Sequence, residues 1–187
     1  MAQQFFQRFP SALGLTGTAE VSKATAAVPE TKQTLFVGKL IAAAMQAGKV
    51  FNINPLVILA QASLESGWGT SPLSVKYNNY FGITATGKPN AYWKGQSYTS
   101  QTSGLKFRVY DNIENGLMDF ARMISAYYKA AAAASGSVSA YAALIANSPY
   151  ISEKNGDNRE NYKNILIKNA ASIMGITKKK FPQTPLF

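Results

Sequence analysis

The chain has 187 residues, 47% of them hydrophobic, which suits one domain with a sizeable core and excludes wholesale disorder. Lysine and arginine total 19 against 9 acidic residues, a net charge of +10 that favours polyanionic surroundings. There is no cysteine and no histidine, so disulfides, thiolate or imidazole metal sites, and Ser-His-Asp or Cys-His catalysis are excluded. Acid–base chemistry falls to Asp, Glu, Tyr or Lys.

Residues 1–33 read as an N-terminal arm or linker. Phe5, Phe6 and Phe9 form a small aromatic cluster, followed by a Ser-, Thr-, Ala- and Gly-rich stretch punctuated by Pro10 and Pro29. The first residues make a poor secretory leader, and no apolar run is expected to reach bilayer length. The globular part, residues 34–176, opens with Leu35, Phe36, Leu40, Ile41 and Ala44 at helical spacing. Asn54-Pro55 supplies an N-cap and a proline at the first helical position. The helix that follows carries Leu56, Leu59, Ala60 and Leu64 and is expected to end at Gly67. Ser71-Pro72 repeats the start signal for a short helix.

From Asn78 to Tyr110 the residues are mainly Gly, Pro, Thr and aromatics, and Lys106–Tyr110 alternates in strand fashion, which predicts a small hairpin lobe. Asp111-Asn112-Ile113-Glu114 reads as a capping box. It opens a long helix with Ile113, Leu117, Phe120, Ile124 and Tyr128 on one face, extended by Ala130–Ala134. A short helix is predicted over Val138–Ala146. Asp157-Asn158-Arg159-Glu160 is a second capping box, for a helix carrying Tyr162, Ile165, Leu166 and Ile173 and stopping near Gly175. Residues 177–187 are a basic, proline-punctuated tail expected to run over the surface. The order predicts an α+β fold, mainly helical, with a small β-hairpin lobe forming one side of a cleft, the natural place for a site.

The acidic residues are few enough to sort one by one. Glu20 and Glu30 lie in the arm. Asp111, Glu114, Asp157 and Glu160 are explained as helix caps, Asp119 is assigned to the solvent face of its helix, and Glu153 to a polar loop. Glu65 is left, at the C-terminal end of an apolar helix and beside Trp68. The helix dipole at that end disfavours an anion, and apolar surroundings do the same. Both favour the protonated acid that a general acid requires.

The segment Leu59-Ala60-Gln61-Ala62-Ser63-Leu64-Glu65-Ser66-Gly67-Trp68-Gly69 resembles the catalytic-helix signature of the bacterial glucosaminidase family, which includes flagellar peptidoglycan hydrolases and many autolysins. Asn78-Asn79-Tyr80-Phe81-Gly82-Ile83, Trp93-Lys94-Gly95 and Phe107-Arg108-Val109-Tyr110-Asp111 resemble further family segments in the same order. The resemblance runs from about residue 35 to 175 and implies a lysozyme-like fold that cleaves the β-1,4 bond after N-acetylglucosamine in peptidoglycan. It puts Glu65 in the general-acid position and Asn79, Phe81 and Gly82 on the cleft floor. Tyr150 and Tyr162 fall where the family has a turn tyrosine and a helix-borne tyrosine. Trp68 is expected to support Glu65 from the core. Tyr92 and Trp93, in the polar hairpin lobe, are the expected sugar-stacking residues.

One departure from the family matters. Many members carry a second carboxylate in the β lobe, but the corresponding stretch here, Tyr98–Gly104, has none. Between Ser66 and Tyr110 there is no acid at all, only Lys76, Lys88, Lys94, Lys106 and Arg108. Three readings stay open: the substrate's 2-acetamido group is the nucleophile, Tyr162 or Tyr150 orients that group, or the domain is a weakened wall-binding module. The architecture also fits a lytic transglycosylase working with a single Glu. No metal or cofactor is implied. The expected partner is the glycan strand, with residues 1–33 a candidate attachment segment for a virion or secretion apparatus. Nucleic acid is disfavoured, because the basic residues are dispersed and no nucleic-acid motif is present. The expected setting is the bacterial cell wall, reached as a virion-associated, phage-encoded or otherwise exported enzyme.

Overall fold

The computed structural model describes residues 30–152, 158–184 and 186. The predicted arm at 1–33 therefore falls almost wholly outside the described residues. Helix α1 (Lys32–Phe51) opens on a capping box in which Thr31 and Thr34 exchange side-chain and backbone hydrogen bonds. Helix α2 (Pro55–Glu65) begins at the predicted Asn54-Pro55 cap and has Leu56 to Ser63 buried without interruption. A helix apolar all round belongs in a core, and α2 packs against α1, α6 (Val138–Ala146) and α7 (Arg159–Lys180). Helix α3 (Pro72–Tyr77) leads into the lobe formed by β1 (Ser97–Thr99) and β2 (Lys106–Arg108), paired antiparallel with Tyr98 opposite Phe107. Helix α4 (Ile113–Tyr127) and the short α5 (Lys129–Ala133) return the chain to the helical body.

Several boundaries differ from the sequence expectation, each for a local reason. The cap of α4 is Asn112, which accepts from the Asn115 N–H, while Asp111 pairs instead with Lys94 at 2.6 Å. The cap of α7 is Asn158, accepting from the Asn161 N–H; Asp157 and Glu153 lie outside the described residues. The alanine run does not extend α4, because the backbone leaves helical geometry at Tyr128 and restarts as α5. Helix α7 continues through Gly175 to Lys180. Buried Ile173 and Thr177 hold its last turns, and Lys178, Lys179 and Lys180 suit the negative end of the helix dipole.

The described residues of the tail are anchored at two points. Phe181 lies against α1, where a Cβ on Gly38 would be 3.3 Å from its ring, and Leu186 is buried. Helix α1 itself reaches bilayer length with a mean hydropathy of 1.2, contrary to the sequence expectation. Its apolar side, Phe36, Val37, Leu40, Ile41 and Ala44, is packed in the core.

The largest correction concerns Asp119, which was expected in solvent and is fully buried. Its Oδ2 accepts from Arg108 Nη1 at 2.5 Å and from the Tyr110 hydroxyl at 2.8 Å. Its Oδ1 accepts from Arg122 Nε at 2.9 Å and Asn90 Nδ2 at 3.0 Å. Arg108 also donates to the carbonyls of Thr84 and Thr86, so one buried cluster ties β2 and the preceding loop to α4. Removing one partner of such a cluster strands charge out of water. Asp119→Ala is expected to lower unfolding free energy by about 3–5 kcal/mol, whereas Asp111→Ala, at an exposed pair, should cost no more than about 1 kcal/mol. Urea denaturation of both variants checks the contrast.

Candidate active site

Glu65 is the last residue of α2, and the four residues after it explain how it reaches a cleft. Gly67, Trp68 and Gly69 all take left-handed backbone conformations, with φ of 59°, 63° and 75°. Glycine adopts these without penalty, while Trp68 is held there by its edge-on contact with Phe36 at 5.5 Å and by its N–H donating to Ser63 O. Gly69 has a second reason to be glycine, since a Cβ there would come within 3.1 Å of the Phe36 ring. Ser66 secures the turn by donating from Oγ to Ala62 O and accepting at Oγ from the Gly69 N–H. The turn ends the helix abruptly and leaves Glu65 half-buried at its rim.

The cleft beside it has a volume of about 440 Å³. One wall is Glu65, Ser66, Gly67, Thr70 and Ser71. The floor is Asn79, Phe81 and Gly82, and the facing wall is the hairpin with Tyr98, Ser100, Thr102 and Ser103. Among the described residues, Glu65 is the only carboxylate in this lining.

Tyr162 is brought to Glu65 by α7, and its hydroxyl donates to Glu65 Oε1 at 2.8 Å across 97 positions of sequence. Burial pushes the Tyr162 phenol well above its ordinary range, and the Glu65 charge adds to the shift. The hydroxyl therefore stays a donor. Behind it, Tyr141 donates to Gln61 Oε1 at 2.6 Å, and Gln61 sits one turn before Glu65 on the same helix. Tyr141 is likewise raised, by burial first and by Glu65 second. Asn169 of α7 donates to Ser63 Oγ at 2.9 Å, a second buried link between α7 and α2. Tyr150 is buried with its ring 6.4 Å from that of Tyr162, so it lies behind Tyr162 and outside the cleft lining.

The remaining sequence candidates divide. Asn79 lines the cleft, but its amide is engaged: Nδ2 donates to Ile83 O and Arg108 O, and Oδ1 accepts from the Ile83 N–H. It shapes the floor and has no amide hydrogen left for a sugar. Phe81 lies flat on Phe120 with centroids 3.6 Å apart, and Gly82 turns the chain at φ 60°. Tyr92 packs edge-on against Phe51, away from the cleft. Trp93 is 3% exposed, its indole N–H donates to Gln96 O, and the Arg108 guanidinium lies 4.2 Å from its ring centre. Neither ring lines this cleft: Trp93 is buried beneath Arg108, and Tyr92 stands half-buried against Phe51. The cleft's partly open aromatic is Tyr98, which sequence reasoning missed. The available signal was period-two alternation, with Tyr98 between two exposed residues, Ser97 and Thr99.

The glucosaminidase family, described as mannosyl-glycoprotein endo-beta-N-acetylglucosaminidase, matches residues 41–175. The chain belongs to this family. It is 30% identical over 125 residues to the exo-glucosaminidase LytG of Bacillus subtilis (strain 168), covering 62% of this chain and 42% of LytG. It is 30% identical over 103 residues to the peptidoglycan hydrolase FlgJ of Vibrio parahaemolyticus, covering 48% of this chain and 32% of that protein. The chain thus spans under half the length of these curated relatives. Among solved structures it is similar to the catalytic domain of the autolysin Auto from Listeria monocytogenes, with a TM-score of 0.62 and 26% identity over 83% of this chain and 91% of that one. The glycoside hydrolase domain of Salmonella typhimurium FlgJ gives a TM-score of 0.62 and 27% identity, over 79% and 91%. The fold is the lysozyme-like one, and the domain is a glycoside hydrolase.

The raised phenols carry a pH consequence. A phenol whose folded-state value is raised keeps its full stabilising contribution below its ordinary value near 10 and loses it as pH climbs beyond. Tyr162→Phe removes one such group. Its stability is expected to decline less than the wild type's above pH ~10, measured by urea unfolding at a series of alkaline pH values.

Proposed function

We propose that this domain is a peptidoglycan hydrolase that cleaves the glycan strand as an endo-β-N-acetylglucosaminidase, with Glu65 as general acid. The observation that carries this reading is the placement of Glu65 on the rim of a sugar-sized cleft with the Tyr162 hydroxyl fixed on Oε1. In this mechanism Glu65 protonates the departing glycosidic oxygen as the C1–O bond breaks. The facing wall offers hydroxyls and no second carboxylate among the described residues. The substrate's own acetamido carbonyl therefore supplies the electron pair to C1, one of the recognised departures from the two-carboxylate scheme. Water then opens the cyclic intermediate, with Glu65 accepting its proton. Tyr162 acts through Glu65, holding the carboxyl in one orientation.

The net charge of +10 supports a wall substrate with anionic polymers attached. Residues 1–33 are read as an attachment segment for a virion or export apparatus, and removing residues 1–29, which leaves the Thr31 cap of α1 in place, should abolish assembly while sparing activity on purified wall.

Glu65→Gln is expected to lower glycan cleavage by about 10²–10⁴-fold, and unchanged clearing of cell walls by that variant would end the assignment. Tyr162→Phe should lower kcat by roughly 10-fold or more with KM little changed. The lone carboxylate also favours a second reading, a lytic transglycosylase. Mass spectrometry of digested peptidoglycan separates the two, since reducing N-acetylglucosamine ends mark hydrolysis and anhydromuramic ends mark transglycosylation.

A further inference from the structure

We infer that Tyr98 is a stacking platform for one pyranose ring of the substrate, on the β-lobe wall of the cleft opposite Glu65. The inference rests on the glycan reading above and adds a specific subsite to it. Three aromatic side chains line the cleft: Phe81, Phe107 and Tyr98. Phe81 is 1% exposed and Phe107 6%, so neither presents a face. Tyr98 is half-buried and open to the cleft.

Its position is fixed from two directions. In β1 it sits opposite Phe107 in the hairpin register, and its ring stacks on Tyr77 with centroids 4.5 Å apart and planes within 22°. Tyr77 is the last residue of α3, and its carbonyl accepts from the Tyr110 N–H, which joins the bracing residue to the lobe. A braced ring loses little freedom when a ligand settles on it, so more of the contact energy appears as affinity.

The chemistry selects the ligand. In a β-linked amino sugar the hydroxyl and acetamido groups project equatorially and leave a face of C–H bonds. That face is apolar and slightly positive, which matches the negative face of an aromatic ring. Ser100, Thr102 and Ser103 on the same wall offer hydroxyls at the sugar's edge. No charged side chain other than Glu65 lines the cleft among the described residues, so this subsite suits a neutral sugar ring rather than the carboxylates of a stem peptide.

The test uses the full chain in three forms: Glu65→Gln alone, and Glu65→Gln combined with Tyr98→Phe or with Tyr98→Leu. The leucine keeps apolar bulk in the strand but has no ring face. Each is titrated calorimetrically with a soluble, uncross-linked peptidoglycan glycan fragment, and the bound sugar's ring protons are followed by NMR. The phenylalanine form should bind like Glu65→Gln alone and show ring-current upfield shifts of the sugar protons. The leucine form should bind about 3- to 10-fold more weakly and lose those shifts. Equal affinity of the two double variants, or equal weakening of both, overturns the stacking role and leaves the glycan reading standing. Failure of Glu65→Gln alone to bind the fragment overturns the glycan reading itself, and the subsite with it.

Discussion

A buried carboxylate with four donors sets the geometry on which the cleft depends. The two walls of the cleft belong to different parts of the chain, the end of α2 and the hairpin, and among the described residues no backbone pairing joins them. What fixes the hairpin is Asp119 on α4, gripping Arg108 and Tyr110 from the lobe and Asn90 from its loop. Burial, and then the neighbouring Asp119 charge, pushes the Tyr110 phenol well above its ordinary range, so that hydroxyl too remains a donor. Asn79 completes the attachment by holding the carbonyls of Ile83 and Arg108 together under the floor. Isolated charges this deep would destabilise the fold; as a cluster with every oxygen lone pair directed at a donor they give the lobe one orientation.

That rigidity bears on the chemistry. With Glu65 the one carboxylate in the cleft lining among the described residues, the proposed catalysis relies on orientation more than on a second acid. Tyr162 restrains Glu65, the Gln61–Tyr141 pair packs beneath, and Asn169 locks the helix that delivers Tyr162. The helical body thus orients Glu65 while the hairpin offers surface and hydroxyls. This division of labour suits the proposed mechanism, in which the substrate brings its own nucleophile.

Much of this was legible in the sequence because it rests on short-range rules. The Asn54-Pro55 and Ser71-Pro72 starts, the Val138–Ala146 helix and the Lys106–Arg108 strand follow from caps, proline and periodicity. Glu65 stood out by elimination and by motif. The misreadings came from long-range partners. Asp119 looked solvated because nothing local reveals that Arg108, eleven residues earlier, folds back on it. Trp93 looked like a sugar platform because its neighbours are polar, yet that same arginine covers its ring. The one-residue slips at Asp111 and Asp157 arose because Asx pairs offer two equivalent caps, and tertiary context chooses between them.

The link between Glu65 and Tyr162 also has a consequence in time. Ribosomal synthesis delivers Glu65 early and its tyrosine partner late, with 97 positions between them. A nascent chain that has emerged only through α6 carries the Gln61–Tyr141 pair but lacks α7, and with it Tyr162, Leu166, Asn169 and Ile173, which cover α2. Domains of this kind fold as units once the chain is available. The bond between Glu65 and Tyr162 therefore cannot form until α7 has been made. With Glu65 as the proposed acid, the proposed activity is thereby coupled to completion of the domain.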